Sequence, residues 1–303
     1  MEIEKKCLPL QCTNVLKHRA NANINKHIMI KINDLAFSYG SNEVLKSISM
    51  EILPGNIYGL LGENGVGKTT LLTLMCGLKK PQSGSILIDG RKPFDRLPSL
   101  LSEQFYLPDE VAPVNARAID FAKENGVFWP NFNLDRFNEI LTLFEVNPAQ
   151  KMNRMSAGQL KKTWICFALA CGAKYYFLDE PTNGLDIPSK SQFRKAITKY
   201  TSEEAAIIIS THQVRDLEDI IDPIIILDRR DVLLNASCEE ICRKLYFDYG
   251  STVNPDALYL EQTPGGCIQV YPNATGEESK VNIEALFNAV HAHKDAVKAM
   301  FNA

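Results

Sequence analysis

Residues 56–75 read NIYGLLGENGVGKTTLLTLM. The apolar run NIYGLL has the look of a buried strand entering a glycine turn, and the turn opens onto a helical stretch, Thr69 to Leu78, that stops at Gly77 or just before Pro81. Between them lies GENGVGKT, Gly62 to Thr69, which fits GxxxxGK[ST] in the strand-to-helix setting its mechanism requires. Across Gly62, Glu63, Asn64, Gly65, Val66 and Gly67 the backbone N–H groups can close around phosphate oxygens, and the following helix aims its positive end at the same point. Lys68 can then reach the β- and γ-phosphates of a nucleotide and Thr69 can ligate Mg²⁺, with Thr70 beside it.

Downstream of this loop, KYYFLDE, AAIIIST and PIIILD are continuous apolar runs separated by helical segments, the pattern of parallel strands covered on both faces. The first ends in Asp179 and Glu180. A carboxylate at a strand's C-terminal end beside a phosphate loop can hold Mg²⁺, a role that suits Asp179. Glu180, one residue further toward solvent, could orient an attacking water or take its proton. The second run leads into His212. Upstream, Ile30 to Tyr39 and Val44 to Ile52 have the alternation of paired strands, and FYLP is a further short strand. Residues 110–153 change character, with Leu134, Phe137, Ile140, Leu141 and Phe144 on one helical face.

The expected fold is therefore α/β: a P-loop NTPase core with a mainly parallel sheet, an antiparallel β subdomain and an inserted helical subdomain over about 110–170. A small α+β tail follows over 241–303, with ALYLE and CIQVY as strands around Pro-Gly-Gly and one amphipathic helix carrying Ile283, Leu286, Phe287, Val290, Val297 and Phe301. The main domain spans 29–240. Residues 1–28 are polar and irregular and read as an extension; the β pattern begins only at Met29, which makes Met29 an alternative start.

Composition narrows the partners. With 33 Lys+Arg against 36 Asp+Glu the formal charge is −3, which supplies no basic field for nucleic acid, so none is expected as a partner. Eight cysteines without a CxxC pair, and no N-terminal apolar run ending in small residues, speak for a reducing cytosol. No stretch approaches the roughly 18 to 20 apolar residues of a membrane helix, so work at a membrane requires docking onto another polypeptide.

Two further elements particularise the nucleotide loop. MSAGQ, Met155 to Gln159, precedes the helical run LKKTWICFALACGA, and IIISTHQ ends a strand with His212, 32 residues past Glu180. Over about residues 30–235 these motifs, in this order, resemble the ATP-binding cassette (ABC) family, the nucleotide-binding subunits of ABC transporters. The resemblance implies that Tyr39 in FSYG stacks on adenine, that Gly62 to Thr69 is the Walker A loop, and that Asp179 is the Walker B carboxylate. It further implies that Glu180 is the catalytic base, Asn183 to Asp186 the D-loop, and His212 the switch histidine contacting the γ-phosphate. Ser156, Ala157, Gly158 and Gln159 resemble the signature motif that caps ATP held by the opposite subunit; a Ser N-cap followed by small residues also makes an anion site on its own physics. The cofactors implied are ATP and Mg²⁺. The partners implied are a second nucleotide-binding subunit, workable as a homodimer, and a separate transmembrane permease, which would place the chain peripherally on the inner face of the cell membrane. A cluster-assembly ATPase with no permease shares these motifs and is the alternative.

The sequence departs from the family's pattern in two places. The signature reads MSAGQ rather than LSGGQ, so the Ala157 methyl group intrudes where a backbone usually approaches phosphate, which lowers the expected activity. In LSEQFYLPDE, registration on the YLP strand puts Asp109 where the family's Q-loop glutamine stands, with Gln104 as the other candidate. An acidic residue there, together with FWPNF at 128–132, resembles the drug- and peptide-export subgroup of bacterial ABC-2-type systems, so the expected direction is export. Other conspicuous residues read more plainly. Trp129 and Trp164 are expected in the core or at an interface, Cys238 and Cys242 form an i,i+4 thiol pair rather than a metal site, and His291 and His293 point in different directions.

Overall fold

The computed structural model describes residues 30–228 and 231–302. The expectations for residues 1–28, and for a start at Met29, lie outside the described residues. β1 (Ile30–Tyr39) and β2 (Asn42–Ile52) form an antiparallel hairpin, and β3 (Ile57–Leu61) then runs into the glycine turn and α1 (Lys68–Met75). β4 (Ser83–Ile88) returns antiparallel to β1, completing a three-stranded sheet in the order β2-β1-β4. Beyond the short α2 (Pro98–Leu101), β5 (Gln104–Leu107) leads into the helical insertion of α3 (Ala118–Asn125), α4 (Leu134–Leu143) and α5 (Ala157–Ala170).

The chain then alternates β6 (Tyr175–Asp179), α6 (Ile187–Tyr200), β7 (Ala206–Thr211), β8 (Ile224–Asp228) and β9 (Asp231–Ala236). These strands join β3 and β5 in a six-stranded sheet ordered β5-β6-β7-β3-β8-β9, parallel throughout except for β9. Every residue of β3, β6, β7 and β8 is buried, as continuous apolar runs covered on both faces must be. Pairing sets Leu61 opposite Thr211 and Asp179 opposite Ser210, so the C-terminal ends of three adjacent strands finish level with one another. That edge is where open α/β sheets bind ligands.

One face of this sheet packs on α1 and on the β1-β2-β4 sheet through Leu35, Leu45, Leu71, Leu72, Tyr175 and Phe177. The other face packs on the helical insertion. Phe167 of α5 is its hub, with Phe105, Phe121, Trp129, Phe132, Phe137 and Trp164 arranged around the ring at centroid distances of 5.0 to 6.4 Å. Both tryptophans thus pack against the core. Of the predicted α4 face, Phe137, Ile140, Leu141 and Phe144 are buried, with Leu134 packed at the margin.

The tail departs most from expectation. α7 (Cys238–Lys244) leads into β10 (Leu245–Gly250), which pairs with β12 (Gly266–Pro272), and β12 pairs in turn with β11 (Tyr259–Thr263). Neither β9 nor β10 is anticipated by the sequence patterns. The single predicted C-terminal helix is two, α8 (Ile283–Ala292) and α9 (Lys294–Asn302), because His293 leaves helical geometry at φ −129°, ψ 51°. The break redirects the chain: α8 lies on β11 and β12, whereas α9 reaches β9, tied by Lys294 to Asp228 at 2.5 Å and by Lys298 to Asp231. Leu286, Val290 and Val297 join the same hydrophobic core as Ile207, Ile224 and Leu234, so the tail shares a core with the main sheet.

Candidate functional site

The glycine turn owes its shape to close approaches. At Gly67 the backbone has φ +112°, and a Cβ there would stand 2.9 Å from Val44 Cγ1. A Cβ on Gly62 would lie 2.6 Å from the Leu227 carbonyl oxygen. Only glycine serves at both positions. The loop therefore sits hard against β2 and β8, with its exposed side facing a cleft of about 600 Å³.

That cleft gathers Tyr39, Asn64, Gly65, Gly67, Lys68, Thr69, Thr70, Asp109, Asp179, Glu180 and His212 from the predicted set, together with Asn42, Val44 and Asn183. Gly62 and Glu63 line a neighbouring cleft that shares Asn64 and His212 with the first, and Val66 is buried. Ser156 to Gln159 line neither of these two clefts. Ser156 caps α5 in a capping box, accepting from Gln159 N at 3.3 Å while Gln159 Oε1 accepts from Ser156 N at 3.1 Å. The exposed Ala157 follows at the helix's first turn.

A chain of hydrogen bonds orders the polar wall. Thr69 Oγ1 donates to Asp179 Oδ2 at 2.6 Å, and the Ser210 hydroxyl donates to Asp179 Oδ1. Glu180 N donates to Ser210 O and to Ser210 Oγ, each at 3.1 Å. Glu180 itself has φ +44°, a left-handed conformation that costs a carboxylate side chain of order 1 kcal/mol and is typical of active sites. Through this turn the side chain folds back toward β7 rather than out toward solvent, as its place in the sequence would have it. Glu180 is 8% exposed, with Oε1 2.8 Å from His212 Nδ1. Ser210 is a residue that sequence reasoning missed; its signal was a hydroxyl at the end of the apolar run AAIIIST, followed by Thr211.

Lys68 is buried and donates to the carbonyls of Gly62 at 2.7 Å and Glu63 at 3.1 Å. Burial pushes its pKa below the ordinary 10.5, while the carboxylates of Glu180 and Asp179 oppose that shift. Tyr39 is half exposed; its hydroxyl lies 3.3 Å from Thr70 Oγ1 and Lys79 Nζ sits 4.8 Å from its ring centroid. The two Q-loop candidates separate. Gln104 is buried at the start of β5, donating to Cys76 O at 2.9 Å, whereas Asp109 reaches the cleft and accepts from Asn183 Nδ2 at 3.1 Å. Behind it, Lys161 of α5 is buried and donates to Asp109 O at 2.6 Å. Burial pushes the Lys161 pKa down too, against the pull of Asp109, Asp179 and Glu180.

The donor set fits Mg²⁺. Thr69 and Asp179 present a hydroxyl and a carboxylate on one strand-loop edge, with the Asp109 carboxylate in the same cleft, all hard oxygen ligands. Among the described residues no group of three or more His, Cys, Asp or Glu side chains forms a metal cage. Mg²⁺ asks for no such cage, since it is held by one or two carboxylates together with substrate phosphates.

Comparison with known proteins agrees with this geometry. A family profile described as ABC transporter matches residues 45–183. An uncharacterized ABC transporter ATP-binding protein of Bacillus subtilis is 30% identical over 230 residues, 70% of this chain and 70% of that protein. The bacitracin transport ATP-binding protein of Bacillus licheniformis is 28% identical over 278 residues, 84% and 88% of the two chains. The cobalt import ATP-binding protein of Salmonella typhimurium is 31% identical over 226 residues, 70% and 82%. A bacterial ABC transporter cassette solved as a dimer superposes with a TM-score of 0.62 at 22% identity, over 69% of this chain and 98% of that one, and so shares the fold. With the fold, the phosphate loop and these relatives in agreement, the chain belongs to the ATP-binding proteins of ABC transporters and is an ATPase.

Proposed function

We propose that this chain powers a separate membrane permease as the ATPase subunit of an exporter, two copies enclosing two ATP molecules between them. The observation that carries the reading is the connected wall from Thr69 through Asp179, Ser210 and Glu180 to His212, in one cleft with Lys68. Lys68 and the loop amides neutralise charge on the phosphates, and Tyr39 offers a ring for adenine at the cleft's outer end. Glu180 takes the proton of the attacking water, and His212, held at 2.8 Å, fixes the carboxylate's orientation and turns to the γ-phosphate. Thr69 and Asp179, with Asp109 in the same cleft, would hold Mg²⁺, which would supply charge neutralisation to the phosphates of the nucleotide.

Ser156 to Gln159 lie outside the cleft of their own chain, which supports their acting on nucleotide held by a second copy. Among the described residues no helix is long and apolar enough to cross a membrane. In the proposed assembly a separate permease does the spanning and holds this chain at the inner face of the cell membrane. Export rests on Asp109 and the 128–132 segment, through their resemblance to the drug- and peptide-export subgroup. The test is co-purification of the tagged chain from detergent-solubilised native membranes. A multi-span membrane protein in near-equal amount is expected; recovery from the soluble fraction alone would replace this reading with that of a permease-free cassette ATPase.

A further inference from the structure

Asp109 belongs to a stretch without regular structure between β5 and α3, and its side chain is 42% exposed. A half-exposed carboxylate on such a loop loses conformational entropy when it is held in one place, so something must hold it. The holder comes from the helix that follows the signature motif. Lys161 lies one turn beyond Ala157 on α5, where the other buried residues are uncharged: Leu160, Thr163, Ile165, Cys166 and Phe167 among them. Its ammonium donates to Asp109 O at 2.6 Å and Pro108 O at 3.2 Å, and stands 3.8 Å from Asp109 Oδ1. Two of the ammonium's three donors are thus satisfied by carbonyls, and the Asp109 carboxylate stands opposite the charge as an ion pair. Burying that charge is costly unless such partners are in place, which a neutral side chain at the same position would not require.

We propose that Lys161 is a positioning residue, whose grip on the Pro108 and Asp109 carbonyls holds the Asp109 carboxylate in the nucleotide cleft. The arrangement ties three motifs together. α5 carries the signature at its N-terminus, Asp109 lines the cleft, and Asn183 of the D-loop donates to Asp109 from the other side. A movement of α5 would thus be felt at the metal-facing carboxylate directly, through one side chain. The inference rests on the reading of Asp109 as a group that faces Mg²⁺.

The test is equilibrium binding of a fluorescent ATP analogue to the full chain, with and without Mg²⁺, in Lys161→Met, Asp109→Asn and the double variant. The gain in affinity that Mg²⁺ provides should fall roughly threefold or more in each single variant. The double variant should lose no more than the worse single, because both changes remove the same held carboxylate. Metal-free affinity in Lys161→Met should stay near parental. If Lys161→Met folds poorly by thermal melting, Lys161→Gln, which keeps a donor for one carbonyl, replaces it and should show a smaller loss of the same kind. An unchanged Mg²⁺ gain in the Lys161 variants beside a reduced one in Asp109→Asn would overturn the positioning role alone, as would losses that simply add. An unchanged gain in Asp109→Asn would overturn the metal-facing reading of Asp109 and the inference with it.

Discussion

Ser210 shows how much one hydroxyl can order. It is fully buried, donates to Asp179 and receives the backbone N–H of Glu180, so it fixes both carboxylates relative to β7. Ser210→Ala is nearly isosteric but strands an oxygen of a buried carboxylate, and should destabilise the fold by about 1–3 kcal/mol in chemical denaturation. Turnover should fall by about tenfold as the strand-end carboxylates lose their orientation. A variant as stable and active as the parent would show that Asp179 is held by Thr69 alone. Lys68, Thr69, Asp179, Glu180 and His212 were legible in the sequence because each stands in a short motif whose neighbours define it. Ser210 and Lys161 were not, since their partners lie 31 and 52 residues away and are brought close only by the sheet and by α5.

The elements that frame the cleft are those whose local pattern and tertiary role agree. β3, β6, β7 and β8 read as apolar runs and are buried on both faces. β10 reads as LYFDYG, with an Asp and a terminal Gly that disfavour strand, and forms because β12 pairs with it along its whole length. The end of α8 at His293 is likewise invisible to periodicity, since no Pro or Gly marks it; the ion pairs of α9 with Asp228 and Asp231 accompany the turn. At the edge of the large sheet, Glu103 joins the turn after β4 to the start of β6 through Arg91 at 2.6 Å and Lys174 at 2.9 Å. Burial pushes the Glu103 pKa up, but hydrogen bonds from Arg91 and Lys174 and their charges outweigh it and hold the group below the ordinary 4.5. A carboxylate held low contributes stability above its unfolded pKa and loses it as pH falls through the folded one. The stability difference between the parent and Glu103→Gln should therefore be present near neutrality and shrink below pH 4.5, as read by urea denaturation across pH. A difference independent of pH would assign the contribution to packing instead.

Across the whole molecule, the six-stranded sheet brings the phosphate loop, both strand-end carboxylates and His212 to one edge, while Ser156 to Gln159 do not line the cleft there. In the proposed assembly this cleft binds the nucleotide and a second copy encloses it through Ser156 to Gln159. Glu180→Gln removes the proposed proton acceptor while leaving its size in place. The most direct test of this account is therefore that single variant, measured together for ATP turnover and for ATP-dependent dimerisation by light scattering. Turnover should fall by roughly a hundredfold or more, while ATP should hold the variant as a stable dimer. Hydrolysis at near the parental rate, or a chain that stays monomeric while saturated with ATP, would contradict it.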